Sequence, residues 1–186
     1  MKIRIPAQFR LHALVFALVL ILDQLTKYWA RARFSGPDGQ PDYGNVIPVL
    51  GDWLQFRLVY NFGSAWGLRP QELLPFLHPV LFFTIITVVA IALLLIYYRN
   101  MVSTDNAGRL GLVLILTGAV GNNLIDRPIF HKVTDFIYVG IPDVYTRFPI
   151  FNIADSAVTI GILLIFIAPL FAHKKPEAHK EASDAI

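Results

Sequence analysis

The chain has 186 residues, 55% hydrophobic and only 16% charged, with a formal net charge of +3 and a mean hydropathy of +0.56. Soluble domains run nearer roughly 45–50% apolar and about 25% charged, so this composition excludes a disordered chain, argues against a cytosolic globule and points to a membrane. The absence of cysteine removes disulfides, thiol nucleophiles and cysteine-held metals together, and the scattered positive charge lacks the basic stripe of a nucleic-acid partner.

A spanning helix needs about 20 mostly apolar residues, and four segments qualify. The first covers about Leu11 to Ala30, with an unbroken apolar run Ala13–Leu22 followed by Asp23 and Lys27. Lys2, Arg4 and Arg10 before that run and Ala30-Arg31-Ala32 after it imitate a cleavable signal peptide. The charges at Asp23, Lys27 and Arg31 fit such a signal poorly, so the segment is read as a retained span.

The loop Phe34 to Glu72 is too long to lack structure of its own. Glycines and prolines between Gly36 and Gly51 mark turns. Leu54, Phe56, Leu58 and Tyr60 then alternate with Gln55, Arg57 and Val59, the period-two pattern of a half-buried strand. The second span covers about Leu73 to Tyr98, and a short polar loop, Arg99–Arg109, leads to the third. That span, about Leu110 to Ile125, is expected to stop at Asp126-Arg127-Pro128, because proline cannot continue regular helix bonding. Val133–Val139 reads as a second strand before a Gly140-Ile141-Pro142 turn, and the fourth span covers about Ile150 to Ala172.

The fold class expected is an all-α membrane protein, a four-transmembrane-helix bundle with a small extramembrane β-rich region on the outer face. Residues 1–172 form the one membrane domain, with spans about 11–30, 73–98, 110–125 and 150–172 and outer loops 34–72 and 128–149. Residues 173–186 form a polar cytoplasmic tail. Lysine and arginine are densest in the terminal segments and in Arg99–Arg109, which places both termini in the cytoplasm. Trp53, Tyr60 and Trp66 suit an interfacial aromatic belt.

With alternating directions, the polar residues that intrude on the spans gather at one membrane face. They are Asp23 and Lys27 on the first, Asn61 before the second, Asn122, Asn123, Asp126 and Arg127 on the third, and Asn152 and Asp155 on the fourth. Polar groups at membrane depth are costly and normally face a bundle interior, so this convergence marks a site at the outer face. Blander readings exist for each. Asp23 and Lys27 have the i,i+4 spacing of a structural ion pair. Asp126-Arg127 suits a helix end anchored at headgroups. Asp155 suits a helix start facing the positive dipole end.

The chemistry of that set is carboxylate chemistry. The five histidines are dispersed, H-E-x-x-H is absent, and no metal or other cofactor is expected. Neither Ser64 nor Ser156 sits in a G-x-S-x-G elbow. Two aspartates held about 3 Å apart share one proton. The ionised member then takes a proton from water while the protonated member polarises a scissile carbonyl. Asp23, Asp126, Asp135 and Asp155 are the available carboxylates, and their spacing alone does not say which two are paired.

At these residues the sequence resembles the lipoprotein signal peptidases, or signal peptidase II, a bacterial family of membrane aspartyl proteases. The matching pieces are Asp23-Gln24-Leu25-Thr26-Lys27, Asn61-Phe62-Gly63-Ser64-Ala65-Trp66, Asn123-Leu124-Ile125-Asp126-Arg127, Val133-Thr134-Asp135-Phe136 and Phe151-Asn152-Ile153-Ala154-Asp155-Ser156. The resemblance implies that Asp135 and Asp155 are the catalytic pair. It implies that Asn61, Gly63, Asn123, Arg127 and Asn152 line the site and that Asp23, Lys27 and Asp126 support it. It also implies the substrate, a prolipoprotein with a diacylglyceryl-modified cysteine, cut on the amino side of that cysteine. The implied setting is the bacterial inner membrane with the site at the periplasmic face. The partners expected are lipid-modified prolipoprotein signal peptides and membrane lipid, with the enzyme a monomer.

Two departures stand out. The usual G-N-x-x-D-R becomes Gly121-Asn122-Asn123-Leu124-Ile125-Asp126-Arg127; counting back from Asp126 makes Asn123 the equivalent asparagine and puts Asn122 in the glycine's place. One helical position is a rotation of about 100°, so this assignment decides which asparagine faces the site. Trp66 stands where phenylalanine is usual. The competing reading from another class is a small proton-coupled transporter, since membrane carboxylates also relay protons. A transporter should carry its polar groups near mid-membrane, with access from both faces. A noncatalytic lipid-binding scaffold is a third, weaker reading.

Overall fold

The computed structural model describes residues 7–63, 76–101, 105–140 and 149–171. Expectations for Ser64, Trp66, the start of the second span, the turn at Ile141-Pro142 and the tail lie outside the described residues.

The described chain is mostly helical. Helix α1 covers Ala7–Phe34, α2 Pro79–Asn100, α3 Asn106–Ala119 and α5 Ile153–Phe171. Between α3 and α5, a π-helical turn spans Val120–Asp126 and a short α4 spans Arg127–Phe130. Three stretches are long and apolar enough to cross a membrane: Gln8–Phe34, Pro79–Asn100 and Asn106–Phe130. Ile153–Ile167 is apolar but shorter. Leu11, Leu14, Leu18, Ile21, Leu22 and Leu25 of α1 are each at least 50% exposed, while Asp23 and Lys27 on the same helix are fully buried. That inversion of a soluble helix is what a lipid surround favours.

Contacts fix the helix directions. A Cβ on Gly111 would meet Gly161 O at 2.6 Å, and one on Gly118 would collide with Ala154 O. Helices α3 and α5 therefore run antiparallel with their backbones touching, the close approach that small residues permit between membrane helices. Arg127 stacks on Phe83 near the start of α2, and Arg109 on Tyr98 near its end. So α2 also runs against α3.

The third helical stretch does not stop before Pro128 but continues through it to Phe130. The π turn makes this possible. Arg127 N–H bonds to Asn122 O, five residues back, and Pro128 falls in the first positions of α4, where a missing N–H costs no helix bond. His131 ends α4 in the left-handed region at φ 60°.

A three-stranded antiparallel sheet, ordered β1-β2-β3, joins the two long loops: β1 is Ile47–Leu50, β2 Leu54–Asn61 and β3 Val133–Val139. Both expected strands are present, and β1 adds a short edge. The sheet packs on the last turns of α1 through Leu58, Phe136, Ala30 and Phe34, with Trp29 edge-on to Phe34, Phe56 and Phe136. A bulge falls between Phe56 and Val59, where the register against β3 slips. Because side chains alternate, that one-residue slip moves Val59 and Asn61, rather than Leu58 and Tyr60, to the face that carries Asp135.

Candidate active site

The site begins on α1. Asp23, Lys27, Ala30 and Phe34 are all buried and recur every three or four residues, so one stripe of α1 faces inward. Its apolar end supports the sheet and its charged end enters the bundle. Lys27 Nζ lies 2.9 Å from Asp23 Oδ2 and 3.2 Å from Asp126 Oδ2, and donates to Asn122 Oδ1 at 2.6 Å. An ammonium has three protons, and these three contacts use them all. Gln24 Nε2 reinforces the group by donating to Asp23 Oδ2 at 3.0 Å and Asp126 Oδ1 at 3.3 Å.

Each carboxylate of this trio also holds a backbone. Asp23 Oδ1 accepts the N–H of Ala154 at 2.9 Å, a free donor in the first turn of α5. Asp126 Oδ2 accepts the N–H of Thr134 at 3.1 Å, next to Asp135 on β3. Phe151 bridges to Ile137 on the outer edge of β3 and so places Asn152 beside that strand. The elements that carry Asp135 and Asp155 are thus both tied to one buried lysine.

Asp135 and Asp155 meet through Asn152, which is fully buried. Asn152 Nδ2 donates to Asp135 Oδ1 at 2.7 Å, and its backbone N–H donates to Asp155 Oδ2 at 3.1 Å. Its Oδ1 accepts the N–H of Asp155 at 2.9 Å, so Asn152 and Asp155 form a reciprocal cap at the start of α5. The helix-start reading of Asp155 is therefore true, and the capping fixes its carboxylate beside Asp135. Burial, and next the charge of Asp155, push Asp135 up to about 7, against hydrogen bonds from Asn61 and Asn152 that hold it down. Among the described groups outside the membrane helices, this is the one large perturbation, as a shared site predicts.

Arg127 belongs to the rim. Its Nε donates to Asn123 Oδ1 at 2.9 Å, its guanidinium grips the carbonyls of Phe62 and Gly63, and its Cζ lies 3.9 Å from the Phe83 ring centroid. It fastens the chain leaving β2 to the top of α2. Asn61 Oδ1 accepts the N–H of Gly63 at 3.0 Å, which leaves its amide N–H for Asp135. Every site residue read from the sequence therefore falls in one connected network.

Two members, Gln24 and Thr134, are not singled out by the sequence, and a third, Asn122, is named there among the intruding polar residues but in another role. Gln24 lies inside a quoted motif but carries no charge to draw attention. Thr134 acts through its backbone, which no side-chain pattern reveals. Asn122 was assigned to a glycine's place, yet it is the asparagine that touches Asp155, while Asn123 turns to Arg127. The available signal was length: Gly121 to Asp126 holds one residue more than G-N-x-x-D, and the π turn absorbs it. Gly121 itself packs on Asp23, where a Cβ would come within 2.7 Å of Oδ2.

Other sequence candidates lie elsewhere. His12 is at the opposite end of the bundle, its Nδ1 2.7 Å from Tyr98 Oη. Ser156 Oγ donates to Asn152 O at 3.0 Å, so its hydroxyl is engaged within its own helix. Tyr60 lies under Lys132, whose Nζ is 3.4 Å from the ring centroid, and Trp53 is exposed.

Fold and site together define a helical membrane protein that gathers carboxylates, amides and one lysine at a single end of its bundle. A family model for signal peptidase II matches residues 15–171. The lipoprotein signal peptidase of Geobacillus kaustophilus (strain HTA426) is 35% identical over 167 residues, 90% of this chain and 97% of that one. That of Clostridium tetani (strain Massachusetts / E88) is 38% identical over 154 residues, 83% and 88% of the two chains. A bacterial membrane enzyme solved by the in meso method superposes with a TM-score of 0.71 at 32% identity, covering 91% of this chain and 94% of that one. The chain belongs to the signal peptidase II family.

Proposed function

We propose that this chain is a lipoprotein signal peptidase of the aspartic type, with Asp135 and Asp155 as its catalytic pair. It cleaves diacylglyceryl-modified prolipoproteins on the amino side of the lipidated cysteine. The observation that carries the reading is the bridging of the two carboxylates by one buried residue, Asn152, whose side-chain amide donates to Asp135 and whose backbone N–H donates to Asp155. Two acids so joined do not both ionise comfortably, and the elevation of Asp135 to about 7 fits the partner that keeps the proton. Asp155, at the start of the last helix, accepts one N–H from the Asn122 side chain and one from the Asn152 backbone, which orient its carboxylate as the proposed base.

In the reaction, Asp155 takes a proton from water as the water oxygen attacks the scissile carbonyl carbon. Asp135 gives its proton to the carbonyl oxygen, forming a tetrahedral diol. Asp155 then passes its proton to the cysteine amide nitrogen as the C–N bond breaks, and a diol proton returns to Asp135. The products are a signal peptide with a free carboxylate and a lipoprotein with a free amino group on cysteine. One water is consumed, and both aspartates end in the protonation states in which they began.

The same reading takes the enzyme as a monomer with four spans, both termini in the cytoplasm and the acid pair at the periplasmic face of the inner membrane. The alternation of the four helices supports it, as does the position of the polar network at one end. Membership of a peptidase family, with all named relatives peptidases, leaves the transporter alternative without support. Asp135→Asn and Asp155→Asn, each confirmed to insert and fold, are assayed by gel shift on a lipid-modified prolipoprotein. Both are expected to abolish processing, and normal processing by either folded variant would refute the pair. A topology reporter that finds residues 34–63 in the cytoplasm would overturn the orientation.

A further inference from the structure

The π turn has a geometric origin that gives one residue a distinct task. Asp23 and Lys27 are four residues apart on α1, one turn of α-helix. Their partners on the neighbouring stretch, Gly121 against Asp23 and Asp126 on Lys27, are five apart. The i→i−5 bond from Arg127 N–H to Asn122 O accommodates the extra residue between these two anchors. Both anchors hold, and two consecutive asparagines are turned to different polar partners.

Among the described residues, Asn123 is bonded to Arg127. Asn122 faces three groups: its Oδ1 accepts from Lys27 Nζ at 2.6 Å and Asn152 Nδ2 at 3.2 Å, and its Nδ2 donates to Asp155 Oδ1 at 2.8 Å. The amide orientation is not arbitrary. Lysine has only donors, so the Asn122 atom beside Nζ must be oxygen, and the nitrogen is thereby aimed at Asp155. The other Asp155 oxygen is already held by the N–H of Asn152.

We propose that Asn122 is a positioning residue that transmits the fixed location of Lys27 to the carboxylate of Asp155, and that the π turn exists to deliver it there. The proposal rests on the reading of Asp155 as one of the catalytic pair. Asn122 makes no demand on the substrate, so its loss falls on the chemical step. Asn123 acts through Arg127 on the Phe62–Gly63 segment, so its loss falls on substrate binding.

The test is steady-state cleavage of a lipid-modified prolipoprotein by the full chain in detergent, comparing wild type with Asn122→Ala, Asn122→Ser and Asn123→Ala. Asn122→Ala is expected to lower kcat roughly 10- to 100-fold, the scale of a lost hydrogen bond to a charged group, with KM little changed. Asn122→Ser restores a hydroxyl donor, keeps the fold if the alanine variant does not, and is expected to recover part of kcat. Asn123→Ala is expected to raise KM instead. An unchanged kcat in Asn122→Ala, or the same KM rise in both alanine variants, would overturn the proposal. An inactive wild type would instead bring down the peptidase reading and this proposal with it.

Discussion

Asp23 on the first helix accepts the backbone N–H of Ala154 on the last at 2.9 Å, across 131 residues of sequence. The same carboxylate pairs with Lys27 at 2.9 Å, so one side chain caps a distant helix and completes a buried ion group. Asp23→Ala is expected to cost about 3–5 kcal/mol, the range for breaking a buried pair from one side. Asp23→Asn, which keeps an acceptor for Ala154, should lose clearly less. Thermal unfolding in detergent measures both, and equal losses would contradict the capping role.

Lys27 serves two buried carboxylates, so its removal strands both. Lys27→Met should destabilise the protein by about 3–5 kcal/mol or more. Adding Asp126→Asn to that variant removes one stranded charge and should recover part of the loss. A double variant worse than the sum of its singles would show that the group is held together by other contacts.

The elevation of Asp135 to about 7 has a definite sign. The unfolded chain releases this proton near the ordinary value of 3.8, whereas the folded chain keeps it to about 7. Its contribution to stability is therefore full below the ordinary value and is lost as pH rises through about 7. Peptidase activity should fall over the same alkaline range, with an apparent pKa that belongs to the pair. A rate flat from pH 6 to 9, roughly two units on the alkaline side, would place the shared proton elsewhere.

Much of this network was legible in the sequence because it uses local spacing. Asp23 and Lys27 show their i,i+4 relation, and Asn152 and Asp155 have the three-residue step of a reciprocal cap. Strand β2 announces itself by alternation, whereas the short β1 carries no such pattern. What could not be read was the π turn, since one extra residue in a helix changes no hydrophobic pattern. It reassigns the asparagine beside Asp155 and carries the helix through Pro128. The bulge in β2 was hidden likewise, and it sets whether Asn61 or Tyr60 shares a face with Asp135. The grip of Arg127 on the Phe62 and Gly63 carbonyls needs two distant segments to meet.

That grip depends on a planar fork. Arg127→Lys keeps the charge but cannot serve Asn123 and two carbonyls while also covering the Phe83 ring. Cleavage assays should show KM rising by more than kcat falls. A lysine variant with wild-type KM would mean that charge alone suffices.

The contact between α3 and α5 leaves no room at its centre. A Cβ on Gly161 would lie 2.5 Å from Gly111 O, so Gly161→Ala must push two backbones apart. The expected cost is about 1–3 kcal/mol, with reduced activity because α5 carries Asp155 at its far end. Unaltered melting would show that the helices can separate freely.

Asp135 enters on β3 and Asp155 on the helix that follows, with the buried lysine that anchors both on the first helix of the chain. Synthesis has therefore passed three long helices and the whole sheet before the two proposed catalytic carboxylates exist on one molecule. No fragment that ends before Ile153 carries the pair. A nascent chain that has not reached the last helix thus holds Asp135 without its proposed partner, and the two carboxylates come together only as the bundle closes.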